Sequence, residues 1–374
     1  LLSGLATSAL MLIVFRFLHG IGGAMIFGTG VAILTSVFPP RERGRALGIN
    51  VAAVYIGLSL GPFLGGFLTQ HLGWRSIFLF NVPLGLAVIA LVLTKLRGEW
   101  AEAKGERFDV VGSVFYSTAL VAMMYGFSLL PESAGAWLIL AGLAGIAGFI
   151  KWESRVESPI LDVNLFRGNT VFAFSNLAAL INYSATFAVA FLLSLYLQYI
   201  KGFTPQNAGL ILAIQPVLMA VFSPFAGRLS DRVEPRVVAS AGMTLTAVGL
   251  SLLTVLSEDT PLAFVVGSLI LLGLGFAFFS SPNTNAVMSS VERRLYGVAS
   301  GTIGTMRLVG QMFSMGVAML IFAVYLGRAQ IIPEQYPAFL AGVNTAFVVF
   351  AVLCFGGIFA SLARGKVRTT SDQS

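Results

Sequence analysis

Eleven runs of mostly apolar residues, each separated from the next by turn-forming or basic residues, constrain this chain more than any other feature. Their cores lie at 9–36, 46–70, 76–95, 110–130, 135–151, 171–199, 206–226, 237–256, 261–281, 296–325 and 337–363. A helix that crosses a bilayer needs about 20 such residues. Only 10% of the 374 residues are charged, against roughly 25% in a soluble domain. A water-facing surface cannot be assembled from that supply. A soluble enzyme, a disordered chain and a nucleic-acid-binding domain are therefore excluded. The net charge of +7 is scattered between apolar runs and forms no basic patch. The expected fold class is an all-α integral membrane protein with eleven spans.

The basic residues also sort by connection. Of the 23 Lys and Arg, 18 fall in the odd-numbered connections and the C-terminal tail. Three fall in even-numbered connections (Arg75, Lys201 and Arg328), and two, Arg16 and Arg307, lie inside runs. Short basic loops stay on the cytoplasmic side, so the expectation is a multi-pass cell-membrane protein with its C-terminus in the cytoplasm. The first complete run then passes from outside to inside. The chain opens on Leu1-Leu2, and residues 1–8 read as the tail of an earlier helix, so an odd number of helices is expected to precede the first run. The single cysteine, Cys354, sits in an apolar run. It offers neither a disulfide framework nor a cysteine metal site, and no metal ligand set is expected.

Several short strings carry more specific information. The second run holds Gly57-x-x-x-Gly61-Pro62-x-x-Gly65-Gly66. Glycines four apart line one face and let a neighbouring helix come close, while Pro62 removes a backbone hydrogen bond and bends the helix. Gly57-x-Ser59-x-Gly61 also matches a nucleophile elbow. It sits mid-helix with no preceding strand, and neither histidine, His19 or His71, has an acidic neighbour, so no catalytic residue is assigned. The first run carries Arg16-x-x-His19-Gly20-x-Gly22. A charge near mid-membrane costs at least ~2.5 kcal/mol and turns towards a cavity or a partner. Arg16 and His19, three apart, share a face. Trp74-Arg75-x-x-Phe78-x-x-Asn81-x-Pro83-x-Gly85 leads from an outer loop into the third run. Gly227-Arg228-Leu229-Ser230-Asp231-Arg232-x-x-x-Arg236 fills a basic connection, where Asp231 can pair with arginines or cap the following helix. Arg307 and Gln311 lie four apart in the tenth run. Asn176, Asn182, Tyr183, Gln198 and Gln215 are polar positions that can line a cavity or bind neighbouring helices.

Taken in order, these strings resemble the motifs of the major facilitator superfamily, in particular its fourteen-helix drug:proton antiporter branch. The G-x-x-x-G-P-x-x-G-G string resembles the antiporter motif. The Arg16 string resembles R-x-x-Q-G-x-G, with His19 where glutamine is usual. The Gly227 string resembles the second-half copy of the superfamily loop, with Glu234-Pro235 in place of the usual glycine. The resemblance covers nearly the whole chain. It implies an incomplete first bundle at 1–97 (the end of a third helix, then helices four to six), a linker region at 98–168 with two extra spans, a six-helix bundle at 169–365 and a cytoplasmic tail at 366–374.

The function it implies is a proton-coupled exporter of hydrophobic compounds, working by alternating access between two bundles in a bacterial inner membrane. Arg16, His19, Gly20, Arg75, Asn81, Asp231, Arg232, Arg307 and Gln311 are implied in proton handling and gating. Gly57, Gly61, Pro62, Gly65 and Gly66 are implied in helix packing, and Gly227 and Arg236 in the loop motif. No P-loop string occurs, so no cofactor is expected and the proton gradient is the energy source. The expected partners are a small hydrophobic or amphipathic substrate, protons and lipid, without nucleic acid; a periplasmic adaptor and outer-membrane channel complete the set. None of the 16 acidic residues lies deep in a run. The family carries a carboxylate in its first helix, so transport by these 374 residues alone is not expected. The competing readings are an exporter of one metabolite (a siderophore, lipid or sugar), a non-transporting receptor, and an intramembrane enzyme.

Overall fold

The computed structural model of the protein describes residues 1–95, 109–130, 132–156, 159–161, 163–327 and 331–365, with the side chains at 62, 63, 163 and 164 outside that description. The basic connection at 96–108 and the tail at 366–374 thus lie outside the described residues. Among the described residues there is no strand. Eleven helices are long and apolar enough to cross a membrane: α1 (Ala9–Val37), α2 (Arg43–Leu72), α3 (Arg75–Lys95), α4 (Val110–Leu129), α5 (Ser133–Glu153), α6 (Thr170–Ile200), α7 (Pro205–Arg232), α8 (Pro235–Val255), α9 (Leu262–Ser289), α10 (Arg293–Tyr325) and α11 (Pro333–Ala363). Each coincides with one expected run, with α7 and α9 continuing six and eight residues past the expected ends at 226 and 281.

Residues 1–8 form a single 3-10 turn, Leu2–Leu5, followed by extended Ala6. Ser8 then caps α1 by accepting from the Met11 N–H at 3.2 Å. Two spans are interrupted. In α7 the helix breaks at Ala213, because Pro216 has no N–H for the carbonyl of Leu212. In α6 the break at Phe187-Ala188 has no proline or glycine behind it. There the hydroxyl of Ser314, on α10, accepts from the Ala188 N–H at 3.0 Å. A π-helical turn, Tyr196–Ile200, ends the same span.

Packing is densest among α6 to α11, whose core runs from Leu192, Leu193 and Tyr196 through Met243, Leu272 and Phe279 to Phe347 and Phe350. Small residues set the closest crossings. Gly242 of α8 meets Gly275 of α9, and in the α4–α5 hairpin Gly126 meets Gly135 and Gly142 meets Ala119. Without lipid-excluding hydrophobic gain between helices, such backbone proximity supplies the van der Waals attraction. The hairpin docks on α10 through Phe127, which meets Phe313 edge-on at 5.9 Å and covers Gly316. The spans α1 and α3 present almost entirely exposed apolar surfaces.

The first three spans join the rest mainly through α2 and α7. Gly44 and Gly48 of α2 lie against Gly227, Ser223 and Pro224 of α7. A Cβ on Gly48 would sit 2.5 Å from the Ser223 carbonyl oxygen. The expected close approach at Gly57, Gly61, Gly65 and Gly66 is not made: among the described residues nothing lies within 4 Å of a Cβ at any of the four. These glycines face no described helix, and the close crossing is made instead at Gly44 and Gly48. Pro62 lies outside the described side chains.

Candidate functional site

Between the α1–α2 pair and the second bundle lies a cavity of about 90 Å³. Its walls come from Phe27 and Val31 of α1, Asn50, Val54 and Tyr55 of α2, Tyr183 of α6, Ser280 and Thr284 of α9, and Ser300, Gly304 and Arg307 of α10. Arg307 is the one charged residue in that lining. Its guanidinium lies over two rings, 5.6 Å from the centre of Tyr183 and 5.8 Å from that of Phe27. Among the described residues no carboxylate acts on it, and the phenols of Tyr183 and Tyr55 are its electrostatic neighbours. Phe276 packs edge-on against both phenols, at 5.4 Å from Tyr183 and 5.8 Å from Tyr55. An aromatic cage around one cation is stabilised by the ring quadrupoles. It offers flat apolar surface with hydroxyl and guanidinium donors, which suits a bulky ring compound.

Below the cavity, buried Leu47 forms a floor and a set of polar contacts closes the end that carries the odd connections. Helix α2 begins at Arg43 with no side-chain cap from its own chain neighbour Glu42. Its exposed N–H groups are taken up by Asp231 at the end of α7: Oδ1 accepts from Gly44 at 2.7 Å and Oδ2 from Arg45 at 2.8 Å. An anion at a helix N-terminus is favoured by both the free donors and the dipole. Arg43 is buried and donates to the hydroxyl of Tyr296 at 2.9 Å, the carbonyl of Thr35 at 3.2 Å and Ser289 at 3.4 Å. It thereby joins α1 and α2 to α9 and α10. Arg364, at the end of α11, is fully buried and donates to Asn283 Oδ1 at 2.8 Å, Ser175 Oγ at 3.2 Å, the Ser361 carbonyl at 2.8 Å and the Ser361 hydroxyl. Burial lowers its pKa to about 9, opposed by Glu234 and reinforced by Arg236.

Asp231→Asn is expected to weaken this closure by ~1–3 kcal/mol, since charged hydrogen bonds become neutral ones. A cysteine placed at Leu47, which is 1% exposed, should then react with a small thiol reagent several-fold faster. Unchanged reactivity would remove Asp231 from the closure.

The expected site residues separate into three groups. Tyr183 and Arg307 line the cavity, and Asp231 with Gly227 builds the closed end, where Asp231 caps α2. Arg236 stands near Arg364, and Arg232 is an exposed residue beside Asp231. Arg16 and His19 do meet: Arg16 Nη1 lies 2.8 Å from His19 Nδ1. A guanidinium only donates, so in this contact Nδ1 stands where an amide oxygen would accept. Arg16 also lies 6.0 Å from the ring centre of Phe78. Eleven residues separate it from Phe27, so it sits on the same face of α1, ~16 Å farther from the closed end. Gly20 has open space around it.

The remaining expected residues lie away from the cavity. Arg75 stacks on Trp74 at 4.5 Å and donates to the Ala6 carbonyl at 3.0 Å. The Asn81 amide donates to the carbonyl of Ile77 in its own helix. Gln311, half-buried on α10, is not in the lining. Of the five polar positions offered for a cavity, four fall elsewhere. Asn176 donates to the Phe172 carbonyl and Gln198 to Ser194, both within α6. Asn182 is buried with neither amide atom paired, and the Gln215 backbone packs on Gly273. Arg43, Tyr55, Phe276 and Arg364 had drawn no attention as functional positions in the sequence.

The chain matches the Major Facilitator Superfamily over residues 1–154 and 176–373. It is 28% identical to the riboflavin transporter RibZ of Clostridioides difficile over 352 residues, which is 93% of this chain and 76% of that protein. It is 32% identical to the multidrug resistance protein Stp of Mycobacterium tuberculosis over 331 residues, 86% of this chain and 61% of Stp. The chain thus spans about three fifths of the length of Stp. Its fold resembles that of the human organic anion transporter MFSD10, with a TM-score of 0.65 at 13% identity, covering 96% of this chain and 73% of that one. With eleven apolar helices, a cavity between two helix sets and a family match across most of its length, the chain belongs to the Major Facilitator Superfamily of membrane transporters and is not an enzyme.

Proposed function

We propose that the protein is a proton-coupled exporter of bulky apolar and aromatic compounds, working by alternating access in a cell membrane with its C-terminus cytoplasmic. The cavity carries this reading: it lies between two helix sets and has one aromatic-caged cation in its wall. The contacts that close its basic end, from Asp231 and Arg43, all run between separate helices and are reversible hydrogen bonds. Rocking of one set against the other needs contacts of this kind. The likeness to Stp, a multidrug resistance protein, adds weight to export. In this reading the contacts mark a state closed to the cytoplasm. Among the described residues no acidic side chain lies deep in a membrane-crossing helix or lines the cavity.

The test uses everted vesicles containing the protein and a lipophilic fluorescent dye. Dye accumulation driven by an imposed proton gradient, and collapsed by a protonophore, is the expected result. Accumulation that survives the protonophore would refute proton coupling. The likeness to a riboflavin transporter favours a second reading, a carrier of one planar aromatic metabolite on the same fold. A substrate panel separates the two, since a specific carrier discriminates among ring compounds that a permissive exporter accepts alike.

A further inference from the structure

Two carboxyl groups meet at the basic end of the α4–α5 hairpin, on a different pair of helices from those that line the cavity. Asp109 caps α4: its Oδ1 accepts from the Gly112 N–H at 2.8 Å, and its Oδ2 accepts from the indole N–H of Trp152 at 2.9 Å. Glu153 closes α5, just past the apolar core at 135–151, and is 3% exposed. Its Oε2 accepts from the Leu161 N–H at 2.9 Å. Its Oε1 is buried and has no hydrogen-bond partner. A Cβ on Gly112 would collide with both Asp109 Oδ2 and Glu153 Oε1. The two oxygens therefore flank one point, above a residue that lacks a side chain.

The surroundings decide what fits between them. The Gly112 and Leu161 N–H groups occupy Asp109 Oδ1 and Glu153 Oε2, and the Trp152 indole already takes one side of Oδ2, so a metal ion would find only the two facing oxygens, short of the roughly six that Ca²⁺ or Mg²⁺ requires. Two facing carboxylates, one of them out of water, cannot both be ionised without strong repulsion. A proton needs one donor and one acceptor, and that is what the pair supplies. We propose that Asp109 and Glu153 bind one proton between them, Glu153 Oε1–H donating to Asp109 Oδ2, as a proton site separate from the central cavity.

Other charges do not replace it. Lys151 of α5 and Arg155 just after it are exposed, and residues 159–161, which lie against Glu153, carry no charge. From α10, the element packed on α4, Thr305 meets the Tyr116 hydroxyl and Arg307 faces the cavity. Among the described residues Asp109 is the charge that acts on Glu153. The Gly112 N–H, ahead of a smaller opposing effect of burial, holds Asp109 below the usual carboxylate range. Asp109 is thus the acceptor and Glu153 carries the proton. Through Leu161, Glu153 also fastens the end of α5 to the segment that leads into α6. Loss of the proton sets two negative charges face to face, so the hairpin responds to the pH on its basic side.

Infrared spectroscopy of the protein in lipid, titrated from mildly acid to alkaline pH, tests the proposal without any transport assay. A protonated-carboxyl band present at neutral pH should vanish in Glu153→Gln. In Asp109→Asn, which keeps an oxygen to cap α4, the band should persist but titrate about one pH unit or more lower, because the repelling charge is gone. Trp152 fluorescence should follow the same titration in the unmodified protein. A spectrum unchanged by Glu153→Gln would mean that Glu153 is ionised and would overturn the site. A titration unmoved in Asp109→Asn would overturn the pairing and leave burial alone.

Discussion

Leucine at Gly44 is expected to prevent the basic end from closing. A Cβ there already collides with the carbonyl oxygen of Gly227, the Ser230 hydroxyl and an oxygen of Asp231. Leucine adds three more carbons, and the first obstacle is backbone, which cannot swing aside as a flexible side chain would. Overpacking of this kind costs ~1–3 kcal/mol. Displacing Asp231 also forfeits its bonds to Gly44 and Arg45, each worth ~1.5–3 kcal/mol as a charged hydrogen bond. Where the two losses combine to more than about 3 kcal/mol, the closed population falls by roughly a hundredfold or more. The cysteine at Leu47 should then label at nearly the rate of an exposed residue, and export should be abolished. Gly57→Leu is the control, since a Cβ there has no neighbour within 4 Å. Equal labelling in the two variants would show that the α2–α7 crossing does not govern closure.

The same crossing marks where sequence reasoning reaches its limit. The spans were legible because bilayer thickness fixes their length, and the turn residues between them fall where the helices end. Family membership was legible in ordered strings such as Trp74 to Gly85. Partners were not. A glycine spaced four from another allows a close approach, but spacing alone cannot say which pair is used, and Gly44 and Gly48 are used where Gly57 to Gly66 drew attention. The signal available was small residues at a helix start flanked by Arg43 and Arg45. The local sequence offers Asp231 arginine partners or the helix that follows it, yet it caps a helix 187 residues away, a relation that no local pattern encodes. Arg43 and Arg364 belong to the basic connections and tail that orient the chain. Both are buried: Arg43 is held by hydroxyls and a carbonyl of other helices, and Arg364 by the Ser175 hydroxyl and the Asn283 amide oxygen of other helices together with Ser361 of its own. The break in α6 follows from Ser314 on α10, so nothing at Phe187 announces it.

Methionine at Arg307 is expected to yield a protein that folds at least as well and does not export. The argument turns on why a lone cation is kept between Phe27 and Tyr183. Among the described residues no carboxylate acts on it, so its removal strands no opposite charge. An apolar side chain of similar length fills the space and avoids the cost of holding a charge out of water, at least ~2.5 kcal/mol near mid-membrane. Replacing a buried charge by a packed apolar group is often neutral or stabilising, so the unfolding midpoint should stay level or rise. Export should fall by about a hundredfold, because the guanidinium is the one charge in the cavity lining that can sense a substrate or a proton nearby. Lysine keeps the charge but loses the flat face that stacks on two rings; it should retain roughly a tenth of the activity. A methionine variant that exports at the original rate would make Arg307 a structural residue. One that unfolds readily would show that the aromatic cage needs its cation for stability. A folded, inactive methionine variant beside a partly active lysine variant is the one outcome that fits a charge retained for transport against its own cost.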